Sequence, residues 1–144
     1  MNIRNGLRAI FKKQLKSVPD LRPSFLLHHN GGEIWVSCID NLGSDIHLIR
    51  EKISNNEDLM RTKNKQFRVL YHIDGTAVTY EIAGYMTESL SRSSQNIFKI
   101  AIVGANRTAK NNIRKRLTKE VSSLGINYFS SIDQAKDWLV SERF

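Results

Sequence analysis

Residues 97–139 constrain the fold most, because in this stretch two short apolar runs alternate with two amphipathic patterns of helical period. The first run, residues 97–103, is apolar on both faces except for Lys99. Such a run is typical of a strand that helices cover on both faces of a parallel sheet. The order strand, helix, strand, helix therefore predicts an α/β fold.

The same alternation extends toward the N-terminus. Asn30 and Gly31 tolerate positive φ, so they predict a hairpin turn between the first two strands. Ser44 is expected to cap a helix that ends near Asn55, and Thr108 is expected to cap an unbroken helix that continues to Val121. Further helices are predicted from about Thr79 and after Ser131. The predicted strands are residues 25–29, 34–39, 67–73, 97–103 and 126–129.

These elements predict a hairpin followed by four strand-to-helix units. Crossovers of this length force parallel pairing, so with right-handed connections the second to fifth strands should lie parallel. We therefore expect a single mixed, mostly parallel five-stranded sheet with helices, in which only the first strand runs antiparallel.

The chain is predicted to divide into a basic amphipathic helix in residues 1–22 and an α/β domain in residues 23–144. Pro19 is expected to end this helix. Because one side of the helix is an apolar stripe, we expect that side to pack on the protein's own domain or on a second subunit. The alternative is peripheral contact with a membrane through residues 1–20. The stripe consists of Ile3, Leu7, Ile10, Phe11, Leu15 and Val18.

Length and composition predict one globular cytoplasmic domain. The chain has 144 residues, and 40% of them are hydrophobic. Cys38 is the only cysteine, which excludes an intramolecular disulfide and a cysteine-based metal site. His28 and His29 should point to opposite faces of a strand and so cannot share a metal ion. No nucleophile or acid/base pair stands at a catalytic spacing, so we expect neither an enzyme nor a cofactor.

The net charge of +8 is concentrated in two segments, and residues 106–119 carry six basic residues and no acidic one. This basic helix could contact phosphates without reading sequence. It lacks interleaved aromatic residues, however, so we expect a solvated helix face rather than a nucleic-acid site. The other basic segment is residues 1–24.

Ligands of open parallel sheets usually bind beyond the carboxyl ends of the strands. Loops 41–44, 74–79 and 104–108 should meet there, and each leads into a helix whose free N–H groups favour an anion. Ordinary turn and cap chemistry is favoured over a phosphate site as the explanation of the loop 104–108, which matches no known phosphate-binding fingerprint. The candidate residues for a ligand or partner are Asp74, Gly75, Thr76, Thr79, Gly104, Asn106, Arg107 and Thr108.

Several strings within residues 24–142 resemble the STAS superfamily, in particular its bacterial SEC14-like branch. They are residues 32–36, 67–76, 99–103, 128–129 and 135–139. The resemblance implies a superhelix of strand–helix units and a non-enzymatic regulatory role. In anti-sigma-factor antagonists of that superfamily, a phosphorylated serine follows the third strand, whereas residues 79–84 of this chain contain no serine.

The sequence thus favours a regulatory or protein-interaction module that binds a protein partner or associates with itself. One alternative is a carrier of a lipid or another small apolar ligand, which the SEC14-like branch suggests. A second alternative is an anion or nucleotide binder, or an enzyme, acting at the loops 74–79 and 104–108.

Overall fold

A computed structural model describes residues 23–141, so the helix predicted within residues 1–22 lies outside the described residues. The described residues form one α/β sheet domain, with a short 3-10 turn at Ser94–Asn96 before the fourth strand. The strands are β1 Phe25–His29, β2 Gly32–Cys38, β3 Phe67–His72, β4 Ile97–Val103 and β5 Gly125–Phe129. The helices are α1 Ile46–Arg61, α2 Tyr80–Arg92, α3 Arg107–Arg116, α4 Lys119–Ser122 and α5 Ile132–Val140.

The five strands lie side by side in chain order. β1 pairs antiparallel with β2, and every later pair is parallel. Asn30 and Gly31 have φ values of 46° and 83°, as the predicted hairpin turn requires. The predicted mixed, mostly parallel sheet is therefore confirmed.

The sheet separates two hydrophobic layers of unequal depth. On one face, alternate strand residues such as Val69 and Ile100 pack against α1, α2, α3 and α4. On the other face, Leu70 and Ala101 pack against α5, which is the one helix among residues 23–141 that covers this face. Since α5 contacts all five strands, it must cross this second face diagonally.

Lys99 anchors the end of α5. Its side chain is fully buried, and its Nζ donates to the carbonyl oxygens of Trp138 at 2.7 Å and Ser141 at 3.1 Å. The ammonium group also lies 4.3 Å from the centre of the Trp138 ring. The last carbonyls of a helix have no partner inside the helix, so the charge that interrupts the β4 pattern has a structural role.

The prediction for the first helix was wrong at both ends. Asp45, not Ser44, caps α1 by accepting from the Leu48 N–H. The helix continues to Arg61 rather than ending near Asn55. Two polar residues of its last turns, Asn56 and Glu57, are buried, and Asn56 accepts a 2.9 Å hydrogen bond from the Trp35 indole.

Glu57 joins α1 to α2 through a buried carboxylate. It accepts two hydrogen bonds of 2.9 Å from Arg92, one of 3.0 Å from Arg61 and one of 2.8 Å from Ser89. Burial by itself would raise the pKa of Glu57. The hydrogen bonds from Arg92, Ser89 and Arg61, with the charge of Arg92, outweigh that effect and hold the pKa below its ordinary value.

The unbroken helix predicted from Thr108 to Val121 is in fact two helices. Asn106 caps α3, so Thr108 lies inside the first turn. The chain is extended at Leu117, and Thr118 then caps α4 by accepting from the Val121 N–H. The four-residue apolar spacing continues across this break, which is why periodicity alone did not reveal it.

None of the helices within residues 23–141 has the length and apolar character that crossing a bilayer requires.

Candidate functional site

Backbone hydrogen bonds continue past the ends of β2 and β3 and join the loops 41–44 and 74–79 at the carboxyl edge of the sheet. The Asn41 N–H donates to Asp74 O at 2.8 Å, and the Gly43 N–H donates to Gly75 O at 3.0 Å. The Thr76 hydroxyl donates to Ile39 O at 2.6 Å. The loops at the carboxyl edge therefore form one connected rim, as their predicted meeting requires.

Gly104 allows the third loop to join this rim. Its φ is +89°, and a methyl group at this position would lie 2.6 Å from Cβ and 2.7 Å from Cα of Asp74. Its N–H donates to Phe129 O at 3.1 Å. Only glycine combines this φ with so close a backbone approach.

A crevice of about 840 Å³ opens at the carboxyl ends of β3, β4 and β5. We call it the carboxyl-edge crevice. It lies where α3 leaves β4 toward one face of the sheet and α5 leaves β5 toward the other. Its polar and aromatic lining residues are His72, Asp74, Asn106, Lys110, Tyr128, Phe129, Ser130, Ser131, Asp133 and Gln134.

Two helix starts meet in the carboxyl-edge crevice. The Asn106 side chain accepts from the Ala109 N–H at 2.8 Å, and the Ser131 hydroxyl accepts from the Gln134 N–H at 3.3 Å. Ser130, between the strand and this second cap, is exposed. The crevice thus presents hydroxyl and amide groups together with charges of both signs, which suits a polar ligand.

His72 and Asp40 form a pair at one end of the carboxyl-edge crevice. His72 Nδ1 lies 3.7 Å from Asp40 Oδ2, and Asp40 is buried. A carboxylate beside a histidine can orient the imidazole ring. Within residues 23–141, no group of three or more His, Cys, Asp or Glu side chains is arranged to hold a metal ion.

The eight predicted candidates fall into different surroundings. Three of them, Asp74, Gly104 and Asn106, line the carboxyl-edge crevice. Gly75 and Thr76 line an adjoining cleft of about 400 Å³.

The other three candidates lie at the starts of α2 and α3. Thr79 caps α2 by accepting from the Ile82 N–H at 3.1 Å. Arg107 lines a pocket on the outer side of α3, and Thr108 is exposed in the first turn of that helix. The structure therefore brings part of the predicted set together and places Thr79 in a capping role.

The prediction missed the loop after β5 and the first turn of α5, which supply Ser130, Ser131, Asp133 and Gln134 to the carboxyl-edge crevice. The sequence did carry a signal, because this loop also follows a predicted strand and begins a capped helix. It was overlooked because only the three preceding loops were expected to converge at the carboxyl edge.

Arg107, Lys110 and Arg114 line a pocket of about 560 Å³ together with Ala105, Asn106 and Asn111. We call it the basic pocket. It shares Ala105, Asn106 and Lys110 with the carboxyl-edge crevice. Partial burial raises the pKa of the neighbouring Tyr128, while the charge of Arg114 acts in the opposite direction.

No family model, curated protein or solved structure matches this chain.

Proposed function

We propose that this protein is a non-enzymatic regulatory module that binds a polar segment of a protein partner in the carboxyl-edge crevice. One observation carries this proposal. Helices α3 and α5 leave the neighbouring strands β4 and β5 toward opposite faces of the sheet, and the crevice opens between them. Open α/β sheets bind their ligands in such crevices, beyond the carboxyl ends of the strands.

The lining of the carboxyl-edge crevice supports a polar occupant. Lys110 faces it with Asp74 and Asp133, so charges of both signs are available to a peptide. The hydroxyl of Ser130 and the amide of Gln134 add hydrogen-bonding groups at exposed positions. This lining suits a polar segment better than the lipid or apolar ligand that the sequence left open.

The sequential strand order also supports a STAS-like superhelix of strand–helix units, which we propose as the finer description of the fold. α1, α2 and α3 each follow a parallel strand, and all pack on the same face of the sheet. A regulatory module of this kind would act here without the phosphorylated serine of anti-sigma-factor antagonists.

The proposal can be tested by selecting peptides from a random displayed library on the immobilised full chain. In ¹⁵N-labelled protein, the selected peptides should shift amide resonances around Ser130 and Gln134. Ser130→Trp should weaken their binding at least about tenfold, because an indole at this exposed position would occupy the crevice. Ser122→Trp is the matched control, since Ser122 is an exposed serine on α4 that does not line the crevice.

Peptides that bind Ser130→Trp as tightly as the original chain would show that the carboxyl-edge crevice is not the docking site. A selection that enriches no peptide would also count against the proposal. Circular dichroism spectra of the two tryptophan variants should match that of the original chain, so that any loss of binding can be assigned to the site.

A further inference from the structure

The outer side of α3 carries three cations in one row. Arg107, Lys110 and Arg114 stand at i, i+3 and i+7, so they share a helix face and line the basic pocket. Along the helix axis they span about 10 Å, from a rise of about 1.5 Å per residue. Within the part of the chain that the structure describes, no carboxylate lines this pocket.

The cations of the basic pocket differ from others on the domain. Arg92 is paired with Glu57 at 2.9 Å, and Lys65 is paired with Glu33 at 2.7 Å. Among residues 23–141, no acidic side chain forms an ion pair with Arg107, Lys110 or Arg114. Their charge is therefore available to an anionic partner.

The tertiary structure brings an aromatic ring to this row of cations. Tyr128 belongs to β5, and its ring centre lies 5.9 Å from Lys110 Nζ and 5.4 Å from Arg114 Cζ. The ring is partly exposed and also lines the carboxyl-edge crevice. The basic helix therefore has the aromatic neighbour that its own sequence lacks.

We propose that the basic pocket and Tyr128 bind single-stranded nucleic acid. Arg107, Lys110 and Arg114 contact successive phosphates, and one base stacks on the exposed part of the Tyr128 ring. A row of cations beside an aromatic platform is how proteins hold single strands without reading their sequence. An acidic peptide could neutralise the same cations, but it has no base to place against the ring.

The affinity of the full chain for a fluorescent 12-nucleotide oligo-dT or oligo-U can be measured by anisotropy at several salt concentrations. Each phosphate contact contributes about −0.7 to the slope of log K against log salt for single strands. The triple variant Arg107→Ala, Lys110→Ala, Arg114→Ala should therefore have a slope about 2 units shallower than the original chain. Because the two proteins differ only at these three positions, the difference between their slopes excludes the contribution of other basic segments, including residues 1–24.

Lys115→Ala is the matched control, because Lys115 is an exposed cation of α3 that does not line the basic pocket. It should change the slope by much less than Arg114→Ala, whereas an equal change would indicate diffuse attraction and overturn the proposal. Tyr128→Phe should keep the affinity, and Tyr128→Leu should lower it about fivefold or more.

Two further results would overturn the inference. Duplex DNA that binds as tightly as the single strand would remove the role of the ring. Polyglutamate that competes as well as unlabelled oligonucleotide, at equal charge, would identify an acidic peptide as the partner. Arg107 and Arg114 do not line the carboxyl-edge crevice, and Ser130 does not line the basic pocket, so variants at these positions let either proposal fail while the other stands.

Discussion

Replacing Gly104 by alanine should destabilise the protein more than the same substitution at any other turn glycine within residues 23–141. Gly104 has a φ of +89°, and the new methyl carbon would lie 2.6 Å and 2.7 Å from two atoms of Asp74. One of these atoms is the backbone Cα, so the neighbour cannot move aside by rotating a side chain. Either the β3 loop or the β4 loop must shift.

The expected cost has two parts. Placing alanine at positive φ costs about 1–2 kcal/mol. Forcing extra volume into a closely packed position costs about a further 1–3 kcal/mol. Gly104→Ala should therefore lower the free energy of unfolding by about 2–5 kcal/mol, which leaves a domain of ordinary stability folded but measurably weakened.

Gly31→Ala separates the backbone cost from the packing cost. Gly31 has a similar φ of +83°, but an added methyl carbon there meets no atom within 4 Å. This variant should show only the backbone cost of about 1–2 kcal/mol. Urea denaturation of the full chain and both variants, followed by tryptophan fluorescence, gives the comparison. Equal destabilisation by the two substitutions would refute the close approach of Gly104 to Asp74.

Two further predictions concern buried charges. Because the pKa of Glu57 in the folded protein lies below its ordinary value of 4.5, its charge stabilises the fold above that pH, and this stability is lost as the pH falls through the lowered value. Glu57→Gln should lower the free energy of unfolding at neutral pH by about 2–3 kcal/mol. It should also make the loss of stability below about pH 4.5 less steep. Urea titrations in which the variant keeps the pH dependence of the original chain would contradict this. Lys99→Met should lower the free energy of unfolding by about 2 kcal/mol, because it removes the charged donor that the carbonyls of Trp138 and Ser141 share. Hydrogen exchange should then accelerate at the end of α5, and unchanged protection there would show that Lys99 does not anchor the helix.

Local patterns were sufficient for the strands and for the starts of two helices. Ile97–Val103 was predicted as a strand because both of its faces are apolar, and the structure buries both faces. Thr79 and Ser131 were expected near helix starts, and each caps one. These features depend on side-chain period and cap chemistry, which a short stretch of sequence contains in full.

The missed features depend on residues far apart in the chain. The last turns of α1 looked like a polar loop, because the partners of Asn56 and Glu57 are Trp35 on β2 and Arg92 on α2. Similarly, α3 ends at Arg116, where the carbonyl oxygen accepts a 2.8 Å hydrogen bond from the hydroxyl of Thr87 on α2. A helix that ends or continues for such reasons cannot be delimited from its own residues.

The sequence by itself determined the α/β class, the number of strands and their directions, because apolar period and crossover length leave few other arrangements. Only the tertiary structure decided that α5 crosses the opposite face from α3, which opens the carboxyl-edge crevice. It also decided that Tyr128 lies beside Lys110 and Arg114. The physical reason is that period and capping act within one turn or strand, whereas the face that a helix covers is selected by packing across the whole sheet.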